Sequence, residues 1–410
     1  VVLLHGDNRK FSGTVAVHGM LRPGTVDSLP PCAGLLLCDV SHVDSAGGVL
    51  ETSGTFARAP GTAPGQVWWG RVTEVAPGYV MSFSTPASGG GFSAHGGDLT
   101  VNLGGDRRQL VLGENGFKPA RLRLQDDSAT DVLTWVNPVD VTNQTLTVQV
   151  ACSALSKTAV WRGAVTSSSP DGDGAFVKRG AGRLVLADGA DFGPISFTAN
   201  NAVELAVTNR QVLACNMSGN AMQLDKYGAG VTILSGSNTY GNVTRIYEGT
   251  LLVGGTNTAG GSFTVSAGAT LGGIGVVAPK EGASITVDGS LAPGGEALAC
   301  GTLTLGSVEQ ATALTLNGML SAEIGLEDHD RVTVLGDVSL GEAATVAVAA
   351  QDEEVWQTRR GEEIPLLTWT GTKTGTWTSA TTLPNGWKVR EKTDGLWLSY
   401  TPNGTLISVR

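Results

Sequence analysis

Apolar and polar residues alternate with a period of two along almost the whole chain. Asp98-Leu99-Thr100-Val101-Asn102-Leu103, Thr145-Leu146-Thr147-Val148-Gln149-Val150, Ala313-Leu314-Thr315-Leu316 and Arg331-Val332-Thr333-Val334 each put apolar side chains on one face of an extended segment. The runs are about four to seven residues long and end in Gly, Asn, Asp or Pro, which predicts short strands joined by tight turns. Almost nothing has helical spacing. Short, evenly spaced strands fit either a sandwich or a solenoid.

A repeated phrase decides between the two. Lys178-Arg179-Gly180-Ala181-Gly182-Arg183-Leu184-Val185-Leu186 returns 48 positions later as Lys226-Tyr227-Gly228-Ala229-Gly230-Val231-Thr232-Ile233-Leu234. The second copy continues through Asn238-Thr239-Tyr240-Gly241 to Glu248-Gly249-Thr250-Leu251-Leu252-Val253. A looser relative opens the chain, from Leu3-Leu4-His5-Gly6-Asp7-Asn8 to Gly19-Met20-Leu21. A sandwich needs no such echo, whereas a solenoid stacks equivalent strands turn upon turn. Leu184, Leu186, Ile233, Leu251 and Val253 are then expected to face inward as apolar columns, with Thr and Ser between them facing water. At ~20 residues per coil, the chain would make roughly 20 coils and a rod of about 100 Å.

Three regions follow. Residues 1–160 hold one repeat and a less regular stretch, 161–345 are the most regular, and 346–410 change character. A charged break, Gln351-Asp352-Glu353-Glu354 to Arg359-Arg360-Gly361-Glu362-Glu363, precedes Trp369, Trp377, Trp387, Trp397 and Tyr400. A solenoid needs its last coil covered, so this aromatic-rich tail is expected to be a C-terminal β cap.

The repeat phrase resembles the autotransporter-associated β-strand repeat, also called the passenger-associated transport repeat. Residues 226–253 are its fullest copy and 178–193 a degenerate one, with Asp191-Phe192-Gly193 in place of Asn-Thr-Tyr. Looser matches are 90–105 and 402–406. The chain is similar to large glycine-rich surface proteins of the verrucomicrobial type. The resemblance implies export and an all-β, right-handed parallel β-helix. It implies no single activity, because that repeat builds adhesins, proteases and purely structural stalks.

Composition narrows the function. The 58 glycines among 410 residues are about twice the usual share, and they lie at turns rather than in a period of three. A net charge of −10 without a basic stripe argues against nucleic acid. No stretch approaches the ~20 apolar residues of a spanning helix. Val1 begins directly in strand-like sequence, so a piece whose export signal lay upstream is expected. The five cysteines, Cys32, Cys38, Cys152, Cys215 and Cys300, are expected to be small buried hydrophobes rather than disulfides or a metal site.

Candidate chemistry is sparse. Glu327-Asp328-His329-Asp330 reads as a solvated turn before a strand. Pro170-Asp171-Gly172-Asp173-Gly174 and Gln125-Asp126-Asp127-Ser128-Ala129-Thr130-Asp131 resemble loose calcium loops but lack the spacing of a cation-binding hand. His5, His18, His42, His95 and His329 are scattered without visible partners. No Gly-x-Ser-x-Gly elbow or aligned carboxylate pair occurs, so no catalytic, cofactor or metal residues are assigned. Trp68-Trp69 is a possible sugar platform, although alternation would place one ring inside and one outside. Val1, Val2, Leu3 and Leu4 form an uncapped edge that could meet Leu406, Ile407, Ser408 and Val409 of another copy, head to tail. The expected function is a secreted structural protein of a bacterial surface or extracellular fibre. The alternatives are a polysaccharide- or host-binding adhesin and, less favoured, a β-helix carbohydrate-active enzyme.

Overall fold

The computed structural model describes residues 1–24, 28–40, 47–74, 81–84, 88–258, 260–295 and 299–402. The chain is a parallel β-helix closed by an aromatic-rich β cap, and among the described residues one short helix, Val355–Thr358, interrupts its strands. It divides into two compact units, Val1–Ala206 with Ala214–Met222, and Val207–Leu213 with Gln223–Arg410.

In the first unit, Thr145–Gln149, Ala175–Arg179, Ser196–Ala199 and Asn216–Ser218 stack in parallel register on one face. Leu133–Trp135, Thr158–Trp161, Arg183–Ala187 and Val203–Ala206 stack on the next. Because every coil repeats the same inside position, large side chains can stack along the axis. Here they form an aromatic spine. Trp69 meets Phe117 at 5.5 Å and Phe117 meets Trp135 at 6.0 Å. Trp135, Trp161, Phe176 and Phe197 then follow at 5.2–5.4 Å between successive ring centroids. All six rings are fully buried.

The second unit has an aliphatic interior. Leu251, Leu271, Leu291, Leu320 and Val346 occupy one register column, all buried. Ile246, Val265, Val287, Leu316 and Leu340 occupy another. Leu184, Leu186, Leu251 and Val253 point inward as expected, but Ile233 does not. Thr232 is fully buried in its place and donates to Gln211 Oε1 at 3.4 Å. The reason is register: Thr232 lies opposite Leu251, so the start of this column is polar.

Thr250, Thr270 and Ser290 are opposite one another at twenty residues per turn. Elsewhere loops lengthen the coils: Thr145 is opposite Ala175, and Thr345 is opposite Thr378. The expectation of ~20 coils from a uniform period is therefore too high.

The cap changes strand direction. Glu363–Trp369 stacks in parallel on Arg331–Val334 but pairs antiparallel with Gly395–Tyr400, which pairs antiparallel with Trp387–Lys392. Trp356, Trp369 and Trp387 are buried, and Trp356 meets Trp387 edge to face at 5.3 Å. The rim strand Trp387–Lys392 carries Lys388, Arg390, Glu391 and Lys392, charges that discourage a further strand from adding.

Candidate interaction surfaces

Val2–Leu4 pairs with Met20–Pro23, Val2 facing Leu21 and Leu4 facing Pro23, and no second partner strand lies beside it among the described residues. Val1, Val2 and Leu3 are 69%, 64% and 55% exposed, Leu4 is half-buried, and Phe11 adds an exposed ring. Leu406, Ile407, Ser408 and Val409 lie outside the described residues.

Trp68 and Trp69 are both buried, so neither ring offers a sugar platform. Trp69 faces the spine, and its indole N–H donates to the Gly90 carbonyl at 3.0 Å. Trp68 points the other way, as alternation requires, yet packs with Leu36, Cys38 and Ala16. Around Leu36, Cys38 and Trp68, the sheet of Thr14–Val17, Gly34–Val40 and Val67–Glu74 is thus apolar on its outer face as well as its inner one. Alternation fixes direction along a strand but does not say what covers the outer face.

A groove of about 600 Å³ in the first unit is lined by Pro60, Gln66, Arg108, Glu114 and Phe117 among others. Glu114 is its one carboxylate, and Phe117 is buried. Glycoside cleavage needs two facing carboxyl groups, which this groove lacks.

The acidic turns are occupied by the protein itself. Asp127 accepts the N–H groups of Cys152, Ser153 and Ala154 at 3.0–3.1 Å. Asp126 pairs with Arg123 at 2.5 Å, and Asp131 accepts the Gly97 N–H at 2.9 Å. Asp330 is buried rather than solvated, and accepts the N–H groups of Gly301 and Glu323 at 3.0 Å each. Burial raises its carboxyl to about 6, and these N–H donors oppose that rise without overcoming it. The neighbouring His329 imidazole is pushed down by burial, then by Arg359 and Arg331. No group of three metal-ligating side chains occurs among the described residues. His95 has a partner after all, Thr130 Oγ1 at 3.3 Å, and His42 lies outside the described residues. All five cysteines are free; Cys38 and Cys215 are buried as expected, whereas Cys32 and Cys152 are exposed.

Neither a family model nor a curated protein matches the chain. The repeat phrase therefore has to be understood from its own geometry. Lys178 and Lys226 are fully buried. Lys226 Nζ donates to the carbonyls of Tyr227 at 2.9 Å, Gly228 at 2.6 Å and Glu248 at 3.3 Å. Lys178 Nζ donates to Gly180 O at 3.0 Å and to Asn201 Oδ1. In the second copy Asn238 and Tyr240 turn inward, and the Tyr240 hydroxyl joins Thr244 Oγ1 and Asn257 Nδ2 at 2.7 Å each. Lys178 and Lys226 thus close the Gly-Ala-Gly corners that follow them. The inward lysines were missed in the sequence, although a lysine two residues before a recurring Gly-Ala-Gly was a visible signal.

Proposed function

We propose that this chain is an exported structural β-helix of a bacterial surface or extracellular fibre, and not an enzyme. The observation that carries the reading is the use to which polar groups are put. Buried lysines, Asp330, Asn238 and Tyr240 are engaged in holding corners, and no group of three metal-ligating side chains occurs among the described residues. The likeness of residues 178–193 and 226–253 to the autotransporter-associated repeat supports export. No helix among the described residues is long and apolar enough to cross a membrane.

The exposed Val2–Leu4 edge supports self-association, since unpaired N–H and C=O groups flanked by apolar side chains invite another strand. A second copy is the proposed occupant. Sedimentation velocity over a concentration series, with negative-stain electron microscopy of the same samples, tests this. Growth into filaments is expected for head-to-tail contact, and a closed dimer would mean that two such edges meet. A monomer at every concentration would remove self-assembly from the proposal.

A further inference from the structure

On the outer face of the second unit, Tyr227 and Tyr247 stack with centroids 4.7 Å apart and planes 9° from parallel. That separation is the rise of one coil, so the rings are successive rungs of an aromatic ladder. Lys226 lies opposite Ile246 and Ile246 opposite Val265, which brings Ser266-Ala267-Gly268 to the next rung. No ring stands there. Ala267 is exposed, and a Cβ placed on Gly268 would meet nothing within 4 Å. The rung is an open slot of about 490 Å³ whose lining includes Tyr247, Glu248, Thr250, Ala267, Gly268 and Thr270. Tyr247 is 36% exposed, stacks on Tyr227, and lines the slot together with Ala229 of the preceding coil.

The polar lining has a definite character. Thr250 and Thr270 are opposite one another, and their hydroxyls have no partner among the described residues. Glu248 accepts the Gly228 N–H through one oxygen at 3.1 Å, leaving the other for a ligand. No lysine or arginine lines the slot, and the chain as a whole carries −10. A phosphate- or carboxylate-bearing polymer would meet uncompensated like charge.

We infer that this slot binds a pyranose ring of a neutral glycan. The sugar's apolar C–H face stacks on Tyr247 as the missing rung, and its hydroxyls hydrogen-bond Glu248, Thr250 and Thr270. The inference is independent of the structural reading, because it concerns one outer corner and not the strand edges.

Affinity electrophoresis of the full chain in native gels containing laminarin, xyloglucan or galactomannan tests it, with polygalacturonate as the acidic probe. Retardation is expected in at least one neutral gel and not in polygalacturonate. Tyr247→Ala should weaken it roughly tenfold, the scale of a lost aromatic stack, while Tyr247→Phe keeps it. Ala267→Trp, which fills the slot and leaves the ladder intact, should abolish it. Thermal melting confirms that each variant is folded. Absence of retardation in every neutral gel, retardation in polygalacturonate alone, or unchanged mobility of both Tyr247→Ala and Ala267→Trp would overturn the proposal. Any of these leaves the structural reading untouched.

Discussion

Two lysines lie where a solenoid has least room for charge. Lys226 lies in the column that continues through Ile246 and Val265, and Lys178 lies between Val148 and Ala199 in another. Each converts the converging carbonyls of a Gly-Ala-Gly corner from a desolvation cost into a set of charge-assisted bonds. The charge is still expensive: burial pushes the Lys178 amine down to about 7 from an ordinary 10.5. Between those values the unfolded chain holds a proton that the folded chain has released. Stability contributed by this group therefore climbs as pH rises from about 7 towards 10.5, and is lowest below that window. Lys178→Met removes the climb. Melting temperatures of the two proteins at pH 7 and at about pH 9.5 should show the wild type gaining on the variant at the higher pH. A constant difference would mean that Lys178 stays charged throughout.

At the scale of the element, the corner is a glycine problem before it is a lysine problem. Gly228 has φ +77°, and a Cβ on Gly230 would stand 2.3 Å from the Asn209 carbonyl oxygen. The first glycine is needed for conformation and the second for close approach of adjacent coils. Gly230→Ala should thus destabilise the second unit by roughly 1–3 kcal/mol, the usual scale of overpacking against backbone. Urea unfolding followed by near-ultraviolet circular dichroism measures it, with the exposed Ala229→Ser as a control expected to change little. The strand–turn–strand corner was legible in the sequence because glycine, alternation and repeat coincide there. Which residue starts a column was not. Thr232 displaces Ile233 from the interior through pairing with Gln211 and Leu251, 21 residues before and 19 after it. The spine was hidden for a related reason: Trp135 and Trp161 are neighbours only once their coils are registered. Trp68 shows a third limit, since Leu36 and Cys38 beside it make the outer face apolar. The Glu327–Asp330 turn reads as solvated because sequence does not show that Asp330 receives the backbone N–H groups of Gly301 and Glu323.

At the scale of the whole molecule, two sheet edges among the described residues differ in character. Trp387–Lys392 ends the cap with alternating charge, while Val2–Leu4 presents bare apolar residues. A stacked strand there would gain backbone bonds and cover Val1, Val2 and Leu3, with apolar burial stabilising by about 25 cal/mol per Å². Two copies each carrying −10 must approach first, and that repulsion is long-ranged only at low salt. Association through this edge should therefore strengthen between roughly 0.01 M and 0.5 M salt, as the screening length falls from about 30 Å to under 10 Å. An association held by ion pairs would weaken over the same range. The double variant Val2→Lys/Leu3→Lys keeps every backbone group and lowers the net negative charge, so it eases the repulsion while removing the apolar cover. If the edge drives assembly, its sedimentation coefficient stays independent of concentration at either salt. If charge alone limited contact, this variant would associate more readily than the wild type, and the edge would not be the interface.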